Sequence, residues 1–90
     1  MPSYLVETFL ARGRSGERIE RERRARAAAE ELTRAGLGVQ FGGTIHVPED
    51  EICFVLFETC SSQNAALAAT RAELDPFRIV EAVTSRKEKT

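Results

Sequence analysis

"VQFGGTIHVPEDEICFVLFE", residues 39–58, is the stretch on which the fold turns. In its first half Val39, Phe41, Gly43, Ile45 and Val47 alternate with Gln40, Gly42, Thr44 and His46. A period of two marks a strand with one apolar and one polar face. Pro48-Glu49-Asp50-Glu51 interrupts it, because proline has no N–H for a ladder and adjacent acids repel close neighbours. Ile52 to Glu58 is the next strand, apolar on both faces, with Ile52, Phe54 and Leu56 against Cys53, Val55 and Phe57. The two strands therefore read as a hairpin. A turn of Glu49-Asp50, or of Pro48 to Glu51, sets Val47 opposite Ile52, His46 opposite Cys53, Thr44 opposite Val55 and Gly42 opposite Phe57. In that register the Cβ atoms of His46 and Cys53 lie about 5 Å apart on one face.

Outward from the hairpin the periodicity changes. Towards the N-terminus, Ala25, Ala28, Ala29, Leu32 and Ala35 recur at helical spacing, opened by Ser15-Gly16-Glu17 with Ser15 as the expected cap. Gly36 is the expected stop, in the left-handed conformation that glycine adopts without a Cβ penalty. Before that helix, Tyr4 to Leu10 is rich in β-branched and aromatic residues and reads as a strand. Towards the C-terminus, Ser61 or Ser62 caps a second helix carrying Ala65, Leu67, Ala68, Ala69, Ala72 and Leu74. Asp75-Pro76 is its expected end, and Phe77 to Val83 alternates as a last strand. The order β-α-β-β-α-β predicts an α+β, ferredoxin-like sandwich over residues 1–84, followed by a polar tail at 85–90. Its four-stranded antiparallel sheet has the order 4-1-3-2, with both helices on one face.

Composition narrows the function classes. Ninety residues make one small domain with a modest core. A net charge of −1 supplies no overall attraction to nucleic acid or to an anionic membrane. No apolar run is long enough to span a bilayer, and Met1-Pro2-Ser3-Tyr4 does not open a secretory signal. Cys53 and Cys60 match neither a disulfide framework nor a CxxC pair, which points to a reducing, cytoplasmic setting. Arg12, Arg14, Arg18, Arg21, Arg23, Arg24 and Arg26 form a basic run, but Glu17, Glu20 and Glu22 are interleaved at helical spacing. The aromatic stacking motif of the RNA-binding relatives of this fold is absent from Ile52–Glu58, so nucleic acid is not the expected partner.

The sheet raises the functional question. Helices on one side leave the other face of the apolar central strands uncovered, and such a face marks an interface or a ligand groove. Two sheets packed in a two-fold homodimer are the simplest closure. His46 and Cys53 are assigned to that uncovered face, joined by Glu7 and Glu81, with Val6 and Val80 turned towards the helices. Imidazole, thiolate and carboxylate suit a borderline divalent ion such as nickel or zinc. The same groups suit general acid–base chemistry, although no nucleophile or oxyanion motif accompanies them. A third reading has Thr44, Val55 and Phe57 lining a ligand pocket of a dimeric α+β barrel. An interaction module without a ligand is a fourth. Cys60 reads as a small residue at a strand end, Glu49-Asp50-Glu51 as a solvated turn, and Gly13-Arg14-Ser15-Gly16 lacks the spacing of a phosphate loop.

"YLVE" from Tyr4, "VPEDEICFVLFE" from Val47 and "DPFRIVEAV" from Asp75 together resemble a family of small bacterial nickel-binding or uncharacterised ferredoxin-like domains. The resemblance runs from Ser3 to Val83. It implies a homodimer of ferredoxin-like sandwiches and, in at least one branch, bound nickel. It sets Glu7, His46, Cys53 and Glu81 on the matching segments as ligands. The chain departs from that pattern in having a single histidine.

Overall fold

The computed structural model describes residues 1–83; the polar tail read at 85–90 lies outside them. The elements are β1 (Ser3–Phe9), α1 (Glu17–Arg34), β2 (Gln40–Val47), β3 (Ile52–Glu58), α2 (Ser62–Arg71) and β4 (Arg78–Ala82). Short 3-10 turns cover Arg12–Arg14 and Pro48–Asp50. All strand pairs are antiparallel, in the order β2-β3-β1-β4, which is the expected 4-1-3-2 read from the other edge.

Alternation along the central strands defines the two faces. Tyr4, Val6 and Thr8 on β1 and Cys53, Val55 and Phe57 on β3 are buried. Val6, Val55 and Phe57 share one core cluster with Ala25, Ala28, Ala29 and Leu32 of α1 and Ala68 and Ala69 of α2. The alanine seams let both helices approach the sheet closely, so a thin core fills without large side chains. Leu5, Glu7 and Phe9 and Ile52, Phe54 and Leu56 point to the opposite face, which no helix among the described residues covers.

The hairpin register holds from Thr44 to Val47, with Thr44 opposite Val55, Ile45 opposite Phe54, His46 opposite Cys53 and Val47 opposite Ile52. It departs from expectation nearer Val39. Phe41, not Gly42, pairs with Phe57, and a β-bulge separates Phe41 from Gly43. The extra residue reverses the direction of every side chain before it. Phe41 therefore faces the helices, edge-on to Phe57 with ring centroids 6.4 Å apart, while Ile45 is 55% exposed on the open face. The paired glycines permit this. Gly43 has φ +120, and a Cβ on Gly42 would stand 2.8 Å from Leu56 Cδ2.

Both helices close with the same C-terminal hydrogen-bond pattern. In α1, Gly36 N–H donates to Thr33 O and Leu37 N–H to Leu32 O, with Gly36 left-handed as expected. In α2, Glu73 N–H donates to Thr70 O and Leu74 N–H to Ala69 O, so the helix ends before Asp75-Pro76. Burial of Leu74 closes this turn from below, and Glu73 takes the left-handed position at φ 57. At the N-termini, Ser61 Oγ accepts the Asn64 N–H at 3.2 Å, whereas the cap of α1 is Gly16, without a side-chain bond from Ser15. The acidic turn is only partly solvated. Glu51, left-handed at φ 54, accepts the Arg12 N–H on its carboxylate at 3.0 Å and the Leu10 N–H on its carbonyl at 2.9 Å.

Candidate functional site

His46 and Cys53 are opposite one another, but on the helix side of the sheet, not on the uncovered side. The reason is the phase of β3: Cys53 belongs with Val55 and Phe57, whose burial fixes that face as the inner one. Cys53 is fully buried, and Thr8 Oγ1 donates to its carbonyl at 2.7 Å. The same hydroxyl accepts from Arg21 Nη1 at 2.9 Å, which brings a largely buried guanidinium from α1 over the strands. Beside it, Thr44 Oγ1 donates to a carboxylate oxygen of Glu22. Burial pushes the Cys53 thiol up; Arg21 and Arg18 oppose that shift and Glu22 adds to it. His46 Nε2 is buried without a hydrogen-bond partner.

The two glutamates are elsewhere. Glu7 does face the open side, where its carboxylate accepts from Arg78 Nε at 2.7 Å, across the β1–β4 pair. Glu81 pairs with Tyr4, which puts it in phase with Ile79 on the helix side and leaves it exposed at the sheet edge. Val80, opposite Leu5, takes the open face in its place. The expected quartet is thus divided: His46 and Cys53 under α1, Glu7 beneath the sheet, Glu81 at the far strand. Among the described residues no group of three His, Cys, Asp or Glu side chains is placed to hold one ion. The nickel set implied by resemblance does not fit as a set, because its four members lie on different sides of the sheet.

The expected pocket residues also change role. Val55 and Phe57 are fully buried members of the core, and Thr44 is hydrogen-bonded to Glu22, so no pocket opens on the uncovered face at these positions. A groove of about 550 Å³ lies on the helix side instead, between the C-terminal half of α1 and the start of β2. Arg26, Arg34, Val39 and Phe41 are among its walls. Sequence periodicity pointed away from this groove, because unbroken alternation puts Phe41 in phase with Ile45. The Gly42-Gly43 pair was the available signal for the bulge that turns it inward.

The basic run on α1 is internally neutralised along much of its length. Arg14 pairs with Glu17, Arg23 and Arg24 with Glu20, and Arg21 reaches Glu17 at 3.9 Å. No helix among the described residues is long and apolar enough to cross a membrane. Comparison with known proteins found no matching family model, no matching curated protein and no matching solved structure.

Proposed function

We propose that the chain acts as a cytoplasmic homodimer, a ferredoxin-like sandwich in which the uncovered sheet faces of two copies pack together to form a binding scaffold. One observation carries this reading: the open face is built from Leu5, Phe9, Ile45, Ile52, Phe54, Leu56 and Val80, with Phe9 52% and Ile45 55% exposed. Strands spaced about 4.8 Å apart with a rise of about 3.4 Å per residue make this face roughly 400 Å² in projection. Corrugated by phenylalanine and branched side chains, it offers accessible area on the order of the ~800 Å² per partner that a standard interface buries. Two of its charged members, Glu7 and Arg78, neutralise each other, and the third, Glu58, stands at the end of β3 at the margin of the face. Both cysteines are free thiols, in keeping with a reducing compartment.

Light scattering at micromolar concentration tests the assembly. The expected mass is that of two chains for the native protein and of one chain for Phe54→Glu, which places a carboxylate at the centre of the apolar face. A native mass of one chain removes the proposal.

A second reading, binding of nickel or a related divalent ion, keeps one observation in its favour: the unpartnered, buried Nε2 of His46 across from Cys53. Equilibrium dialysis of untagged protein against nickel tests it. Stoichiometric binding lost in His46→Ala supports the ion; substoichiometric uptake indifferent to that substitution removes it.

A further inference from the structure

We infer that the groove between α1 and the first residues of β2 is a binding site for a small organic carboxylate with a flat apolar body. The groove measures about 550 Å³, within the range of roughly 300–1,000 Å³ typical of small-molecule sites. Its apolar walls are Ala29, Val39 and Phe41, and its charged rim is Arg26, Glu30 and Arg34. Arg26 is held in place: its guanidinium carbon stands 5.0 Å from the centroid of the Phe41 ring. That contact restrains the guanidinium before a ligand arrives and leaves its N–H groups for one. The Phe41 ring is in turn braced edge-on by the fully buried Phe57.

Charge selects the ligand. Arg14, Arg21, Arg23 and Arg24 each have a carboxylate within 4.0 Å. Among the described residues Arg26 and Arg34 have none, and these two line the groove. Arg12 and Arg18 share that lack but lie before and at the other end of the helix. Glu30 is one helical turn from both Arg26 and Arg34 and is not paired with either, so the groove carries a net positive charge over an apolar floor. A carboxylate accepts two parallel N–H bonds from a guanidinium, and a flat hydrocarbon body covers Ala29 and Val39. An extended peptide added to the free edge of β2 is disfavoured, because the bulge after Phe41 interrupts the ladder beside the groove. This inference stands apart from the proposed dimer, which uses the other face of the sheet.

The test is an amide-resolved NMR titration of the whole chain at low ionic strength with 3-phenylpropionate, 3-phenylpropionamide and an extended acidic peptide. Binding of the carboxylate, with shifts gathered on Ala29, Thr33 and Val39 to Phe41, is expected, together with roughly tenfold weaker binding of the amide. Arg26→Gln should weaken the carboxylate by a similar factor, and Glu30→Gln, which removes the competing charge, should tighten it about twofold. The spectrum of each variant reports its folding at the same time. Equal binding of acid and amide, no response to either substitution in a folded variant, shifts elsewhere on the molecule, or preference for the peptide each overturns the inference.

Discussion

Cys53 is where burial has the most direct chemical consequence. Its thiol is enclosed by the sheet, Thr8 and α1, and desolvation raises its pKa above the ordinary 9.0. The unfolded chain therefore loses this proton first as pH rises. The native state keeps the full contribution below pH 9 and loses it progressively from there up to the raised native value. The unfolding free energy of the native protein should consequently fall more steeply as pH is raised above about 9 than that of Cys53→Ala. Parallel slopes in paired urea titrations would show that the thiol titrates alike in both states. Sequence patterning identified the His46–Cys53 neighbourhood correctly but assigned it the wrong face. Register depends on the turn, which is legible. The choice of face depends on which side of β3 the helices take, and both sides of Ile52–Glu58 are equally apolar.

At the scale of elements, two positive-φ positions, one held by a glutamate and one by a glycine, yield predictions of opposite sign. Glu73 closes α2 in the left-handed region that Gly36 occupies in α1. Glu73→Gly relieves the Cβ clash and gives back part of that gain in unfolded-chain entropy, so a stabilisation of about 0.5–1 kcal/mol is expected. Denaturant melts that show a loss instead would mean that Glu73 makes a contact outweighing its strain. The bulge has the reverse character. Gly43 at φ +120 is outside the range of ordinary side chains, and Gly43→Ala should cost about 1–3 kcal/mol by the same measurement. Helix periods, the Ser61 cap and the Gly36 stop were legible because each rests on near neighbours. The bulge was not, since its benefit is long-range: it brings Phe41 onto Phe57 and under Arg26.

At the scale of the molecule, the sheet separates two environments with different prospects. The helix side is closed by alanine seams with grooves between elements, whereas the opposite side is a largely apolar surface crossed by the Glu7–Arg78 pair. If two copies share that surface, folding is linked to association, and the melting temperature rises with protein concentration. Calorimetry across a hundredfold dilution should show that dependence in the native protein and its loss in Phe54→Glu. A concentration-independent transition in both would leave the open face without a partner.

Sequence by itself determined the element order, the hairpin register from Thr44 to Val47 and the one-sided covering of the sheet. Those features follow from hydrophobic period and turn chemistry, which act over a few residues. Only the tertiary structure decided that Glu7 and Glu81 lie on opposite faces from one another, that His46 and Cys53 are under α1, and that Arg26 meets Phe41 at the mouth of a groove. Each of these depends on side-chain phase in strands whose two faces are alike in composition. Phase of that kind is set by the packing of distant elements and by a single inserted residue at Gly42-Gly43.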